Sequence, residues 1–515
     1  MFSSNLHLEI VSEEAHVGES TVVCQPDLLP VPKSARTWHA LHLGGYWVAE
    51  AFVDQYQVAA SAVAAGLSPG TAIGAVFLGH VLVAIACACN GWIGATYGIN
   101  FPVFARASFG IYGNLIAVMC RAVAAVIWFG TQTFQGGQCV QVMLQAIWPS
   151  FKKFKNHLPL SAHVTSAELL CFFIFYIIQL PLLFIHISKL RHLFMLKVII
   201  MAVGWAVGRA HGFGPIFTQK THVQGSPVVV VFFSAMTSAI APKATLALNI
   251  CDFTRFAKSP RTVVWTNIFA LSILVTLCAI LGVVVTSATQ VIYGVSTWNP
   301  LQVCDLWSSR AAQFFAAFCW GLAAIATNIS ANSTAVGNDL AILFPRYINI
   351  RRGQYICAVL GLATCPWIIQ NNAASFTYLR SSGYSIFLGP ICGITLADFY
   401  IRQRGSLDLA ALYHKETSSY WYTHGFNLRA IAAFVLALVP NLPGFAAKIN
   451  NKHSPAAQYI FSVVWLVGIV VAATCYLLFN LLWPVTVTFR HRQAQDGTPP
   501  QSINNDKDPE KVMEK

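Results

Sequence analysis

Residues 311–340 read AAQFFAAFCWGLAAIATNISANSTAVGNDL, and hydrogen-bonding side chains crowd the centre of this apolar stretch, from Thr327 to Thr334. The stretch is long enough to cross a bilayer, but lipid offers no hydrogen-bond partner to the amides and hydroxyls at its middle. A polar cluster at that depth is stable when it faces a cavity, a ligand or another helix. The stretch therefore predicts a membrane helix that lines a binding site or a pathway.

The composition of the whole chain is that of a membrane protein. Of its 515 residues, 56% are hydrophobic and 10% are charged, whereas soluble domains carry about 25% charged residues. Runs of about 20 apolar residues predict about twelve membrane spans, all α-helical. These spans lie near 44–66, 70–90, 114–147, 167–187, 193–208, 228–252, 262–288, 311–339, 353–370, 374–400, 428–447 and 457–484. Residues 39–484 are thus expected to form one transmembrane domain in a lipid bilayer.

The distribution of lysine and arginine predicts the orientation of this domain. An even number of spans puts both termini on one side, and that side holds twenty of the thirty-two basic residues against eight on the other. Cytoplasmic loops carry an excess of such residues. We therefore expect a cytoplasmic segment at 1–38 and a disordered cytoplasmic tail at 485–515. The membrane itself is expected to be the plasma membrane. The net charge of +13 then follows from topology, and no nucleic-acid partner is needed to explain it.

Three ionisable residues lie deep within predicted spans. Glu50 and Asp54 are in the first span, and Lys243 is in the sixth. A charge at the centre of a spanning helix costs roughly 2.5–3.5 kcal/mol on insertion scales. Such residues usually mark an ion or substrate pathway. We therefore interpret all three as functional candidates.

Other charged residues near span ends have a simpler interpretation. Arg121 and Lys197 are expected to extend their charged ends to the interface, as long basic side chains do. Asp252 is expected to be a helix-end cap or an ion-pair partner. These three residues carry no functional prediction.

Interruptions of the first and sixth spans predict the architecture. Glu50, Asp54 and Gln57 interrupt the first span, and Pro242 removes a helix hydrogen bond beside Lys243 in the sixth. Broken helices at matching positions of two halves are typical of inverted-repeat transporters with a substrate site near the membrane midplane. The sequence therefore predicts a five-plus-five inverted repeat followed by two additional helices.

A possible recognition element lies in the third span. Trp128 and Gln132 are four residues apart and so share one helical face. A flat heterocycle could stack on the indole, and the primary amide could bond its edge as donor and acceptor. The alternative is an ordinary packed tryptophan and a glutamine bonded to a neighbouring helix, and this pair alone leaves both open.

Sequence motifs of catalysis are missing. The chain contains no His-Glu-x-x-His, no Gly-x-Ser-x-Gly and no Walker loop, and its histidines and cysteines lack metal-ligand spacing. We therefore predict no catalytic residue, no metal site and no cofactor, and a membrane-embedded enzyme is disfavoured. A receptor-like sensor that binds a ligand without moving it stays open as an alternative.

Nine segments, spread over roughly residues 27–420, have a specific order and spacing. They are Asp27–Pro32, Arg36–Trp38, Trp47–Phe52, Trp128–Gln132, Leu246–Arg255, Ala326–Ser333, Pro345–Gly353, Cys365–Trp367 and Tyr384–Leu388. Together these segments resemble nucleobase–cation symporter family one, in particular its fungal branch of uracil, allantoin and uric-acid permeases. The resemblance implies a leucine-transporter-like fold and secondary active uptake of a small heterocycle. Relatives in this branch also carry thiamine, uridine or nicotinamide riboside.

The resemblance also implies roles for individual residues. Trp128 would stack on the substrate ring, and Gln132 and Asn332 would bond its edge. Gln57 would be a further substrate contact, and Lys243 would contribute to binding as its counterpart in the fungal branch does. A cation at Lys243 would favour an electron-rich carbonyl or an anionic, urate-like ligand.

A sodium site is only partly retained. The family's sodium ligands in the eighth span would fall at Ala323, Ala326 and Thr327, where Ala326 replaces a hydroxyl. Loss of a hard oxygen ligand weakens a small-cation site. Proton coupling, as in the fungal branch, is therefore favoured over sodium. The candidate proton carriers are Glu50, Asp54 and Lys243.

The tenth span supplies candidate gate residues. These are Arg380, Tyr384 and Phe387, of which Arg380 departs from the family pattern because this part of the span is usually uncharged. Asp54 also departs from the pattern, so the two opposite charges could form a gating pair. Alternatively, Asp54 meets water and Arg380 extends outward.

Overall fold

The computed structural model describes residues 25–184, 220–223, 226–294, 299–371, 383–415, 418–449 and 454–484, without the side chains of residues 49, 52–56, 64 and 290. Helices dominate these ranges. The principal ones are α1 (Ala40–Ala64), α2 (Pro69–Tyr97), α3 (Phe101–Phe109), α4 (Asn114–Ile147), α5 (Ser166–Gln179), α6 (Val228–Thr254), α7 (Pro260–Tyr293), α8 (Arg310–Leu343), α9 (Ile350–Ala363), α10 (Ser385–Arg402), α11 (Leu428–Lys448) and α12 (Val464–Leu482). Short helices lie at Pro300–Asp305, Pro366–Asn371 and Pro455–Phe461.

Local sequence explains where these helices begin and end. The Ser68 side chain accepts a hydrogen bond from the Thr71 amide, and Pro69 occupies the first turn of α2, where a missing N–H is tolerated. The same helix ends at Gly98, whose φ of 74° is readily adopted only without a Cβ. Asn349 caps α9 in the same manner as Ser68, through the Arg352 amide.

Nine helical segments of the described ranges are long and apolar enough to cross a membrane. They comprise α2, α4, α6, α7, α8, α10, α11 and α12, together with Leu160–Phe184 around α5. The bounds of α4 coincide with the third predicted span. The fifth predicted span, 193–208, and Lys197 within it lie outside the described residues. The total of twelve spans therefore stays a prediction, and so do the roles of the segments 1–38 and 485–515.

The helices of the two predicted halves pack into two mixed groups, each of which contains helices from both halves. Helices α1, α2, α6 and α7 pack together, and α4, α5, α8 and α9 form a second group beside them. Within the first group α1 packs on α7, and α6 packs on α2. A repeat that relates α1 to α6 and α2 to α7 requires these two contacts to occur as a pair. The paired contacts are therefore those that the predicted inverted repeat requires. Helices α10, α11 and α12 pack mainly on one another.

Residues 25–38, here called the N-terminal strap, define one face of the molecule, the N-terminal face. The Trp38 amide donates to the Phe256 carbonyl just beyond α6, at 2.9 Å. The Arg36 guanidinium donates to the Ala95 carbonyl near the end of α2, at 2.7 Å. The start of α1 therefore lies beside the ends of α2 and α6. Helices α1 and α6 consequently run in opposite directions, as two inverted halves must.

The same strap reaches the second helix group. The Gln25 side chain donates to the Ala341 and Ile348 carbonyls, both at 3.1 Å. The Asp27 carboxylate accepts from the Ile350 amide at the start of α9, at 3.0 Å. These bonds join the strap to the ends of α8 and α9, so it bridges both groups on the N-terminal face.

The predicted breaks in the first and sixth spans are wrong. Helices α1 and α6 are each continuous, and α6 passes through Pro242. One proline removes a single hydrogen bond, and packed neighbours can support the helix around it. Irregularity occurs instead as π-helical turns at Ala270–Val275, Asn328–Thr334 and Ala397–Arg402. The second of these turns contains the polar side chains from Asn328 to Thr334 at the centre of the 311–340 stretch.

The predicted exposure of Arg121 is also wrong. Arg121 is fully buried in α4, where it pairs with Asp339 of α8 and, at 3.4 Å, with Asp252 of α6. Its guanidinium also lies 4.6 Å from the centre of the Phe101 ring. Asp252 is an ion-pair partner as expected, and it also accepts from the Phe101 amide at 2.9 Å. These charged residues, the Arg121 cluster, join the two helix groups near the N-terminal face.

Candidate substrate site

A chain of amides and hydroxyls joins α4, α5 and α8 in the interior. The π-helical turn of α8 presents Asn332, whose side chain donates to the Gln132 carbonyl oxygen at 2.8 Å and to Asn328 at 2.9 Å. Asn328 in turn donates to Thr133 at 2.9 Å and to Gln179 at 3.1 Å. Every residue of this hydrogen-bonded network is buried. The polar centre of the 311–340 stretch is therefore satisfied by other helices and not by lipid.

Two hydrogen-bonding groups of this network, one on Gln132 and one on Asn332, have no partner within it. Its bonds employ the carbonyl oxygen of Gln132 and the amino group of Asn332. No described residue bonds the amino group of Gln132 or the carbonyl oxygen of Asn332. An amide donor and an amide acceptor thus remain side by side. A ligand with an N–H next to a carbonyl would complement them.

Trp128 lies one helical turn from this edge on α4. Its side chain is 8% exposed and packs edge-to-face on Tyr384, with ring centres 6.3 Å apart and an angle of 90° between the planes. The indole N–H is buried and has no hydrogen-bond partner among the described residues. The aromatic pair brings the third and tenth predicted spans together, as the gate assignment of Tyr384 requires.

A second polar group joins α1, α6 and α8. The Lys243 ammonium donates to the Glu50 backbone carbonyl at 2.7 Å. The Ser330 hydroxyl bonds the Glu50 carboxylate at 2.7 Å and also contacts the Ala326 carbonyl at 2.7 Å. Lys243 and Glu50 are each 1% exposed. Two predicted candidates are thus brought together in the interior, where the two helix groups meet.

The remaining candidates are distributed along the same helices. Thr327 and Ala323 are buried in α8, one and two turns before Ser330. Gln57 is half-buried in α1, seven residues beyond Glu50. Phe387 is half-buried in α10, one turn beyond Tyr384, and packs on Phe445 with ring centres 6.5 Å apart.

The proposed charge pair in the gate is not described. Arg380 lies outside the described residues, and so does the side chain of Asp54, whose backbone is part of α1. The pairing of these two residues stays a prediction.

Sequence reasoning missed four residues of the site. Ser330 and Asn328 belong to the quoted polar run, but no role was assigned to them individually. Thr133 and Gln179 complete the amide chain from α4 and α5. A lone glutamine at the end of the apolar run SAELLCFFIFYIIQ was the available signal for Gln179.

Comparison with known proteins identifies related permeases. The family described as "Permease for cytosine/purines, uracil, thiamine, allantoin" matches residues 30–468. Uracil permease of Saccharomyces cerevisiae is 32% identical over 484 residues, which cover 89% of this chain and 76% of the relative. Allantoin permease of the same yeast is also 32% identical, over 90% of this chain and 76% of the relative.

Solved structures show the same fold. The inward-facing conformation of Mhp1 has a TM-score of 0.70 at 22% identity and covers 91% of this chain and 96% of its own. A closed conformation of Mhp1, a nucleobase-cation-symport-1 family transporter with bromovinylhydantoin bound, has a TM-score of 0.68 at 21% identity and covers 90% and 97%. The expected leucine-transporter-like architecture is therefore confirmed. The extent of the sequence matches shows that the chain belongs to the nucleobase–cation symporter family one and is a membrane permease, not an enzyme.

Proposed function

We propose that this permease takes up a nucleobase or a related heterocycle, such as uracil, allantoin or uric acid, by proton-coupled symport across the plasma membrane, with both termini in the cytoplasm. The observation that carries the substrate class is the free amide edge of Gln132 and Asn332 beside Trp128. A flat ring and a matching donor–acceptor edge are the two features that this arrangement requires of its ligand.

Hydrogen bonding supports these heterocycles. Uracil, allantoin and urate each have a ring N–H next to a carbonyl. Such an edge donates to the Asn332 oxygen and accepts from the Gln132 amino group. A site built for such bonds discriminates strongly, because a ligand that lacks them leaves buried polar groups unpaired. Uridine shares the edge of uracil, so the space available to its ribose would decide between them.

Stacking supports a planar ligand. Base-on-aromatic stacking is worth roughly 1–3 kcal/mol per base and tolerates different rings. Trp128 would therefore select flat rings in general, and the amide edge would select among them. Lys243 would add a preference for electron-rich or anionic ligands by its charge.

Coupling is assigned to Glu50. Its carboxylate bonds Ser330 one helical turn from Thr327, in the region where the family's sodium ligands would fall. That hydroxyl also contacts the carbonyl of Ala326, the residue that replaces a hydroxyl of the family's sodium site. A buried carboxylate in hydrogen-bond contact with this region is in the position that a proton carrier requires. A proton on Glu50 would thus take the role that a cation has at this position.

A transport panel tests the substrate assignment. Radiolabelled uracil, allantoin, urate, thiamine, uridine and nicotinamide riboside are offered to yeast cells that lack their own permeases and express this chain. We expect uptake of at least one of the first three. Uptake of only thiamine, uridine or nicotinamide riboside would replace the nucleobase assignment, and binding without uptake would identify a sensor.

Removal of either edge amide should weaken substrate affinity. We expect Gln132→Ala and Asn332→Ala each to reduce affinity by about 1–3 kcal/mol, the usual effect of leaving a buried polar partner unsatisfied. Competition of unlabelled substrate against uptake measures this change. The control is Gln354→Ala, because the Gln354 amide supports the same π-helical turn through Thr334, at 3.0 Å. An affinity loss as large in the control, or unchanged affinity in both edge variants, would contradict the assignment.

Uptake should depend on external protons and not on sodium. If a proton must bind Glu50 from outside, uptake rises as external pH falls and declines as rising pH leaves the carboxyl deprotonated. Replacement of sodium by choline should have no effect, and Glu50→Gln should lose the pH dependence. Initial uptake rates over a pH series, in sodium and in choline buffers, measure both. A strict sodium requirement would instead favour a sodium site at Ala323 and Thr327.

A further inference from the structure

An apolar groove on the outer surface of the helix bundle lies apart from the substrate site. It has a volume of about 250 Å³ and is lined by four residues of α2 between Ile85 and Trp92, by Val264 and Ile268 of α7, and by Tyr400 of α10. The Tyr400 hydroxyl donates to the Cys89 carbonyl at 2.9 Å, which joins α10 to α2 beneath the groove. Tyr400 lies in the π-helical turn Ala397–Arg402. The groove therefore lies where three helices of a membrane protein meet, open to lipid.

The groove lies in the half of the membrane next to the N-terminal face. Val264 is four residues into α7, which starts at that face, so it lies about 6 Å from the helix end at 1.5 Å per residue. Tyr400 is two residues from the end of α10, and Trp92 is five residues from the end of α2. Nearby, Trp265 is 72% exposed on α7, as tryptophans at a membrane interface commonly are.

Three exposed cations at this face lie three to six residues along the chain from lining residues of the groove. Lys258 and Arg261 lie at the start of α7, and Arg404 follows α10. None of the three forms an ion pair with a described residue. The described acids of this face already accept hydrogen bonds from other groups; they are Asp27, Asp252, Asp339, Asp398 and Asp408. The three cations therefore have no ion-pair partner among the described acids of this face.

We propose that the groove holds an acyl chain of an anionic glycerophospholipid whose headgroup is bound by Lys258, Arg261 and Arg404. The apolar lining, which lies toward the membrane interior, complements the acyl chain. The three cations, which lie at the face, complement the negatively charged headgroup. A zwitterionic lipid offers the same chain but less negative charge. In the proposed orientation the lipid belongs to the cytoplasmic leaflet, which is rich in anionic lipids.

Native mass spectrometry of the purified full-length permease tests this site. The protein is titrated with phosphatidylserine and with phosphatidylcholine of identical acyl chains, and bound copies are counted. We expect one phosphatidylserine to be retained in preference to phosphatidylcholine. Arg261→Gln should lower that preference about five-fold, the typical effect of one basic residue near a lipid surface. Arg351→Gln is the control, because Arg351 is an exposed cation of the same face but lies on α9, away from the groove.

A second pair of variants tests the groove itself. Ala88→Trp fills the slot and should reduce retention of phosphatidylserine, whereas Val359→Trp introduces the same side chain at a 63% exposed position of α9 and should not. Equal retention of both lipids by the unmodified protein would overturn the proposal. So would an unchanged preference in Arg261→Gln, or full retention in Ala88→Trp. The readout involves neither substrate nor coupling ion, so its failure is separate from a failure of the proposed function.

Discussion

Trp128→Ala should abolish specific uptake while leaving the amount of protein in the membrane unchanged. The substitution removes the stacking surface and the edge-to-face contact with Tyr384. Loss of stacking alone is worth roughly 1–3 kcal/mol, which corresponds to about a five- to 150-fold loss of affinity. The ring would also lose the orientation that brings its edge to Gln132 and Asn332. Initial uptake rates at substrate concentrations near the wild-type KM, together with surface labelling, measure the effect.

Two substitutions act as controls for this result. Trp128→Phe keeps an aromatic face and should retain part of the uptake. Trp265→Ala removes a lipid-facing tryptophan that is 72% exposed and should leave uptake near the wild-type rate. Undiminished transport by Trp128→Ala would move the substrate site elsewhere in the molecule.

Arg121→Leu should remove most of the folded permease from the membrane. The guanidinium is completely buried between two completely buried carboxylates, Asp252 and Asp339. Removal of one partner from a buried ion pair typically destabilises a protein by about 3–5 kcal/mol, because the remaining charge is left uncompensated. Here two carboxylates would lose their cation at once. Thermal unfolding of the purified protein and its yield after detergent extraction measure the loss.

Removal of the two carboxylates together with Arg121 tests whether the stability loss is due to the uncompensated charges. Arg121→Leu combined with Asp252→Asn and Asp339→Asn removes the uncompensated charges and should recover part of the lost yield. Arg351→Gln removes an exposed arginine and should leave stability within about 0.5 kcal/mol of wild type. A stable Arg121→Leu single variant would show that the cluster contributes little to folding.

Local sequence patterns predicted much of the fold. The apolar run of α4 predicted its bounds, because a helix in lipid is defined by its own composition. The burial of Lys243 followed from its depth in an apolar segment. Family resemblance assigned Gln132 and Asn332 to the same substrate edge, and the structure has the two amides in direct contact at 2.8 Å.

Long-range partners and backbone irregularities could not be predicted in the same way. The partners of Arg121 lie 131 and 218 residues further along the chain, so their proximity depends on the tertiary fold. Extension to the membrane surface was therefore the simplest expectation for an arginine near a span end. The π-helical turn at Asn328–Thr334 likewise donates hydrogen bonds to α4 and α5, and no local sequence pattern predicts these distant partners.

The N-terminal strap has a consequence for the biosynthesis of this protein. Its Gln25 bonds the carbonyl of Ile348, and its Leu28 carbonyl accepts from the Tyr413 hydroxyl, 385 residues further on. A ribosome makes the strap first and these partners hundreds of residues later. The strap can thus complete its docking only after α8, α9 and α10 have been synthesised and inserted. A fully docked strap therefore marks a chain that has been synthesised at least as far as Tyr413, beyond α10.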